Sequence, residues 1–327
     1  MPFNAERSIA LAAVREAAEL CQRVQEQMAV QSIEKSDRSP VTIADFGSQA
    51  LICSRLRRAF PDDPIIAEET SAVLSADDSQ QSLESVIRYV RDLRPDASSE
   101  AILEWIDYGI QKEHTDRHWT LDPIDGTKGF LRGDQYAIAL ALIVQGEVQV
   151  AAVGCPNLTL GTYPDVKGVI AIAVRGEGTE LYRLSDTEPL GKAEVAATSS
   201  PDEARFSESV ESAHTSHSQS AIIAKLLGIV KPANRLDSQA KYVVVAGGDA
   251  DIYMRLPSQR RYVENIWDHA AGMLVVEEAG GRVTDTRGVP LDFGHGYQLI
   301  KNRGVLVSNG KLHAKLLQAI ADTSAEE

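Results

Sequence analysis

Trp119-Thr120-Leu121-Asp122-Pro123-Ile124-Asp125-Gly126-Thr127-Lys128-Gly129-Phe130 is the most informative stretch of the chain. The apolar run holding Trp119 and Leu121 reads as a strand. It ends in two carboxylates three residues apart, and Pro123 and Gly126 enforce a tight turn there. Hard cations such as Mg²⁺ take oxygen ligands in an octahedral array. Asp122 and Asp125 on one turn can face one site, and the turn exposes the Ile124 carbonyl as a natural third oxygen. Gly126-Thr127 then opens toward Phe130, where free backbone N–H groups favour an anion. Taken alone, two aspartates near a turn form a solvated turn more often than a metal site. The preceding strand shifts that balance, because it delivers acids to a C-terminal strand edge, where α/β-type sites lie.

Three more acidic positions repeat the theme. Glu68-Glu69 ends the short apolar strand Ile65–Ala67. Neighbours on a strand point to opposite faces, so one of the two is expected to face the cation and the other to hold a water or support it. Asp268, in Asn265-Ile-Trp-Asp268-His-Ala-Ala-Gly, falls near the start of a helix expected over 266–279, whose positive end favours a carboxylate. Asp45, in Ser39-Pro-Val-Thr-Ile-Ala-Asp45, lies near the start of another helix. Alone, each reads as an ordinary charged terminus.

Around these points the chain divides. Residues 5–31 make a helix whose narrow, Ala-rich face suits packing on its own domain better than a membrane or partner. Ser39-Pro40 breaks the chain, and a helix runs from about Ile43 to Phe60. Residues 71–116 are polar, with helical patterns at Leu83–Leu93 and Ala101–Ile110. This excursion could be a mobile cover, but a solvated hairpin is the preferred expectation. Strands at Tyr136–Val144, Val148–Val153, Val169–Val174 and Glu180–Leu184 form a meander. Residues 185–192 read as a polar linker. After it, strands (Ala193–Thr198, Ile252–Leu256, Arg282–Thr284, Val305–Val307) alternate with helices (Ser220–Leu227, Ser238–Ala246, Ile266–Ala279, Lys311–Ala321), and 207–220 reads as a loop. An α+β unit over 1–186 followed by an α/β unit over 187–327 is the expected organisation.

Composition bounds the function. A chain of 327 residues fits about two domains of ~150 residues. Lys plus Arg is 33 against 47 Asp plus Glu, a net charge of -14, which argues against a nucleic-acid coat or an anionic membrane surface. Charge alone would also disfavour a polyphosphate ligand. Cys21, Cys53 and Cys155 form no CxxC pair, as expected of free thiols in a reducing compartment. No apolar run reaches the ~20 residues of a membrane span. The cytoplasm is the expected location, or an organelle after removal of a presequence.

Together, Asp-Pro-Ile-Asp-Gly-Thr, the upstream Glu-Glu and the downstream Trp-Asp-His-Ala-Ala-Gly resemble the Mg²⁺-dependent, lithium-sensitive phosphomonoesterases of the inositol monophosphatase-like superfamily. The motifs keep their order over roughly residues 40–310. Asp125-Gly-Thr-Lys-Gly-Phe-Leu-Arg-Gly133, Ser212-Ala-His214-Thr-Ser-His217, Leu236-Asp-Ser238-Gln-Ala-Lys241-Tyr242 and Tyr253-Met-Arg255-Leu-Pro257 look like the 3′(2′),5′-bisphosphate nucleotidase group. Inositol monophosphatases typically have Asn where this chain has Gly129.

The resemblance implies a layered αβαβα sandwich and two or three Mg²⁺ ions held by Glu68, Asp122, Asp125, Asp268 and the Ile124 carbonyl. It implies that Thr127 hydrogen-bonds the attacking water and that Asp45 accepts its proton. His214, Ser238, Lys241 and Arg255 would hold the nucleotide, with Gly126 and Asp268 also at the substrate, and Glu69 and His217 would support them. Lys241 suits a phosphate as a point charge and Arg255 as a fork. By itself, Lys241 would read as a solvent-facing helix lysine. The implied reaction is hydrolysis of 3′-phosphoadenosine 5′-phosphate, and of its sulfated relative, with inhibition by Li⁺ and no obligate protein partner. Two other functions fit the motifs: a phosphatase for inositol phosphates, including inositol 1,4-bisphosphate, and a non-enzymatic metal or nucleotide sensor. Retention of Asp45, Thr127 and the ligand acids argues against the sensor.

Overall fold

The computed structural model describes residues 2–31, 39–75, 80–110, 115–210, 217–256 and 263–324. The chain starts with α1 (Asn4–Gln31) and α2 (Ser39–Ala59). Ala10, Ala13, Val14, Ala17 and Cys21 of α1 are buried in the core, so the Ala-rich face packs on its own molecule. α2 begins at Ser39 and not at Ile43. Pro40 does not break the chain there, since the first helical turn needs no N–H from it.

β1 (Ile65–Ala67) leads to α3 (Gln80–Leu93) and α4 (Ser99–Asp107). Ser98 caps α4 by accepting a hydrogen bond from the Ala101 amide (3.1 Å). The expected solvated hairpin is a packed pair instead. Val86, Tyr89, Val90, Ile102 and Ile106 join the core of α1 and α2, and the Ala67 amide donates to the Gly109 carbonyl (2.8 Å). The polar composition that suggested solvation belongs to the outer face, where Arg91 and Asp92 are exposed.

β2 (Arg117–Asp125) and the short α5 (Thr127–Arg132) precede β3 (Ala137–Val144), β4 (Glu147–Cys155), β5 (Val169–Val174), β6 (Gly178–Arg183) and β7 (Pro189–Lys192). These strands form a seven-stranded sheet in chain order, antiparallel except for the parallel β1–β2 pair. β7 occupies part of the stretch expected as a linker: its backbone continues the ladder although Pro189 and Gly191 interrupt any strand pattern in its side chains. β3 is buried on both faces. Ile138, Leu140 and Leu142 pack toward α1 and α2, while the smaller Ala137, Ala139 and Ala141 pack on the other side.

The remaining elements are β8 (Phe206–Glu208), α6 (His217–Leu227), β9 (Asn234–Arg235), α7 (Ala240–Ala246), β10 (Ile252–Arg255), α8 (Ala270–Glu278), β11 (Arg282–Thr284), β12 (Val305–Ser308) and α9 (His313–Ser324). Five strands pair in the order β11-β12-β10-β8-β9. Residues 193–198 make no strand; they are held by isolated bonds such as Val195 N–H to the Ala279 carbonyl (3.1 Å). The expected 207–220 loop contains most of β8 and the start of α6, and its residues 211–216 lie outside the described residues.

α7 and α8 fill the space between the two sheets, sharing a core with the Ala face of β3 and with Tyr253, Val305 and Val307. α6 and α9 cover the far side, where Ile223, Leu316 and Ile320 meet Ile252, Met254 and Leu306. The order helix, sheet, helix, sheet, helix is the expected αβαβα sandwich.

Candidate active site

Parallel pairing decides where the acids meet. β1 and β2 run side by side with Ala67 opposite Leu121, so the next residues, Glu68 and Asp122, come side by side where β1 ends. Asp122 pairs with Ala139 and Asp125 with Ala137, so three steps on β2 match two on β3. That extra residue is a β-bulge. It falls at Pro123, which has no N–H to give the ladder. Without it, residues three apart would point to opposite faces. With it, Asp122, Asp125 and Asp268 bring one carboxylate oxygen each within 4.8 Å of one another.

Helix α2 braces this edge from behind. The Ser48 hydroxyl donates to the Pro123 carbonyl (3.1 Å). Gln49 accepts from the Glu69 amide (3.2 Å) and donates to the carbonyls of Glu69 (2.7 Å) and Ile106 (2.8 Å). Sequence reasoning missed both residues, which the structure buries fully and whose partners lie far along the chain.

The far wall comes from the second sheet. Asp268 precedes α8 rather than starting it: residues 266–269 form a turn and His269 caps the helix. Ser238 has a left-handed backbone (φ +71°), so α7 starts at Ala240 and not at Ser238. Gly126 (φ +88°) passes against it, and a Cβ there would lie 2.9 Å from the Ser238 Cβ. Gly129 is tighter still: a Cβ would sit 2.0 Å from the Gln135 carbonyl oxygen. Gln239 was also missed. Its amide donates to Asp125 Oδ2 (2.6 Å), its side chain donates to the Trp267 carbonyl (2.8 Å), and its Oε1 accepts from Gly272 (3.0 Å). One residue thus ties Asp125 to the Asp268 turn and to α8.

The result is a cleft of about 490 Å³ lined by both walls. Of the residues expected at a site, Glu68, Asp122, Ile124, Asp125, Gly126, Thr127, Ser238, Lys241, Arg255 and Asp268 all line it. Lys128, Asp237 and Trp267 join them without having been singled out. Asp45 is buried in α2, where the charges of Glu69 and Glu68 act on it. Among the described residues, no Thr127–Asp45 hydrogen bond is formed. His214 lies outside the described residues, and of His217 only its place at the start of α6 is described.

Electrostatics set the acids apart. Burial pushes Asp122 well above the usual carboxylate range, reinforced by Glu68, Asp125, Asp268 and Asp45. Asp45 is raised well above that range by burial and by Glu69 and Glu68. The Glu68 side chain is open to the cleft, yet the crowding walls and then Asp268, Glu69 and Asp125 push it up to about 8. Burial also raises Asp268, opposed by Arg255. One oxygen of Asp122, Oδ1, is buried without a hydrogen-bond partner. Like charges crowded round an unsatisfied oxygen are the environment a cation relieves.

The cations lie opposite. Lys241 is not a solvent-facing helix lysine but is 3% exposed, because α7 is buried between the sheets. Its ammonium donates to the Ser238 carbonyl (2.8 Å) and lies 5.2 Å from the Tyr253 ring centre. Burial lowers it to about 8, with Asp125 opposing that shift. Arg255, at the end of β10, is ion-paired with Glu264 (3.0 Å). Asp237, beside Ser238, is paired with Arg132.

This layered α/β sandwich is the fold of solved inositol monophosphatases. The inositol monophosphatase from Anabaena superposes with a TM-score of 0.65 at 19% identity, covering 98% of this chain and 97% of that one. The Thermotoga maritima enzyme gives 0.63 at 21% identity, covering 98% of each. The chain belongs to the inositol monophosphatase family, whose model matches residues 5–325. Among curated relatives, the 3′(2′),5′-bisphosphate nucleotidase of Schizosaccharomyces pombe is 42% identical, with 100% of this chain and 98% of that protein covered. The 3′(2′),5′-bisphosphate nucleotidase 1 of Arabidopsis thaliana is also 42% identical, over 100% and 98%.

Proposed function

We propose that this chain is a Mg²⁺-dependent phosphomonoesterase that hydrolyses 3′-phosphoadenosine 5′-phosphate to AMP and phosphate, and accepts 3′-phosphoadenosine 5′-phosphosulfate as well. The observation that carries the reading is the juxtaposition of Asp122, Asp125 and Asp268 with Lys241 and Arg255 across one cleft. The full-length likeness to proteins named bisphosphate nucleotidases supports the choice of substrate.

The donor set fits the metal. It consists of carboxylate oxygens and the Ile124 carbonyl, with no thiolate or imidazole, and Asp122 Oδ1 has no protein partner. Glu68, Asp122, Asp125, Asp268 and the Ile124 carbonyl would hold two or three Mg²⁺ ions. Bound there, Mg²⁺ neutralises phosphate charge and acidifies water, and Li⁺ in place of one ion would inhibit. The Thr127 hydroxyl, on the cleft wall, would orient the attacking water. Asp45 would take its proton. Ser238, Lys241 and Arg255 would position the nucleotide with the Gly126 backbone, and His214 with them. Glu69 and His217 would support these groups. Phosphoryl transfer of this kind asks mainly for positioning and charge neutralisation.

The second reading, an inositol mono- or polyphosphate substrate such as inositol 1,4-bisphosphate, draws on the fold shared with solved inositol monophosphatases. The reading includes no nucleic acid, membrane or obligate protein partner, and a cytoplasmic or presequence-directed organellar setting. No helix among the described residues is long and apolar enough to cross a membrane.

Metal removal tests the assignment. Chelator-stripped protein should release no phosphate from 3′-phosphoadenosine 5′-phosphate until Mg²⁺ is restored. Asp122→Asn should stay folded and lose on the order of 100-fold or more in kcat. Full activity in that variant removes the metal assignment.

A further inference from the structure

Behind the cleft wall lies a second polar group that the reaction does not use directly. Glu264, His269 and Tyr242 are 7%, 0% and 1% exposed. Glu264 Oε2 lies 3.0 Å from Arg255 Nε and 3.1 Å from His269 Nε2. His269 Nδ1 is 2.7 Å from the Tyr242 hydroxyl. Chemistry assigns the protons along this chain. A carboxylate paired with a guanidinium can only accept, so His269 carries its proton on Nε2 and donates to Glu264. The other ring nitrogen, Nδ1, shares the second hydrogen bond with the Tyr242 hydroxyl (2.7 Å). Tyr242, His269, Glu264 and Arg255 thus form a single line of contacts ending in the cleft.

Glu264 is fixed from its backbone too, since its carbonyl accepts from the Leu299 amide (2.8 Å). Glu264 and His269 also come within 4.8 Å of Asp268 and of one another. They do not make a second cation site of equal standing: His269 has both ring nitrogens engaged and Glu264 already faces a guanidinium.

A bisphosphate presents two phosphate groups to one cleft. The acid cluster, loaded with cations, suits the one that reacts. The other must meet positive charge supplied by side chains, and a long guanidinium stem is useful there only if its fork is held in advance. Lys241 is already fixed by the carbonyls of Ser238 (2.8 Å) and Leu236 (3.3 Å). For Arg255, fixation comes from Glu264.

We propose that Glu264, backed by His269 and Tyr242, is a positioning residue that aims Arg255 at the substrate phosphate that does not react. The inference rests on the bisphosphate reading above. Glu264→Gln should raise KM for 3′-phosphoadenosine 5′-phosphate about tenfold with kcat moved far less, and leave KM for inositol 1-phosphate, which has one phosphate, within about twofold. Glu264→Asp, which keeps the charge, should recover part of the loss. Tyr242→Phe, which keeps the ring and removes the hydroxyl, should move the same KM in the same direction by about threefold. If Glu264→Gln does not fold, Tyr242→Phe decides. Equal KM changes for both esters, a fall in kcat on both, or no change in either variant overturns the proposal. Wild-type protein inactive on the bisphosphate would instead sink the functional reading itself.

Discussion

Asp122 shows how much of the site a single residue can carry. Its place at the end of an apolar strand was legible, and the resemblance carried by Asp-Pro-Ile-Asp-Gly-Thr pointed to a ligand where the turn alone favoured a solvated reading. What could not be read was the bulge at Pro123 that turns Asp125 to the same side. Register across two strands is a tertiary property, and no local pattern records it. The bracing of the acids by Ser48, Gln49 and Gln239 was hidden for the same reason, since each bonds a residue far along the chain. Conversely, Lys241 looked like a surface lysine on periodicity alone, and only the motif marked it.

Two expectations belong to this scale. Asp45, Glu68, Asp122 and Asp268 all have raised pKa values in the folded chain without metal. The folded state therefore binds more protons than the unfolded one. Its stability from these groups is full below the ordinary carboxylate range of about 4 and is lost as pH rises. The loss runs through the Glu68 value of about 8. Melting temperature in chelator should thus fall steadily from about pH 5 to 8, and Mg²⁺ should flatten the curve. A flat curve in chelator would contradict the crowded-acid picture. Lys241→Ala should raise KM for 3′-phosphoadenosine 5′-phosphate about tenfold or more and that for a small phosphate ester much less. Equal rises would place Lys241 outside the nucleotide contacts.

At the scale of elements, helices and the main meander followed their periodicity, whereas short or polar strands did not. β7 and β9 are held by ladder bonds that their side chains, with Pro189 and Gly191 in one and only Asn234-Arg235 in the other, conceal. Pro40 misled in the opposite sense, since a proline that could end a helix began one. The α3–α4 pair has the clearest consequence. Its residues looked like an appendage, yet Ile102 and Ile106 are fully buried beside α2. The Ile106 carbonyl also anchors Gln49, which holds the Glu69 backbone. Ile106→Ala should therefore cost about 2–5 kcal/mol in denaturant unfolding, the usual range for a cavity of that size. A loss below about 1 kcal/mol would return the pair to the status of a solvated hairpin.

For the whole molecule, the parallel β1–β2 pair and the layering of α7 and α8 between the sheets create one cleft in which the acids of the first sheet meet Asp268, Lys241 and Arg255 from the second. The net charge of -14 first pointed away from any phosphate ligand. The fold reverses that locally, because the acids that gather at Asp122 form a site whose sign a divalent cation inverts, while Lys241 and Arg255 remain positive nearby. Net charge still speaks against a nucleic-acid coat, whose footprint is basic. It carries no weight against a small bisphosphate.

That juxtaposition of an acid cluster with fixed cations is the central claim, and substrate discrimination tests it most directly. Phosphate release should be measured on 3′-phosphoadenosine 5′-phosphate and on inositol 1-phosphate side by side, with Mg²⁺ and with added Li⁺. The predicted result is a kcat/KM at least about tenfold higher for the bisphosphate, dependent on Mg²⁺ and inhibited by Li⁺. An equal or higher kcat/KM for inositol 1-phosphate would contradict it.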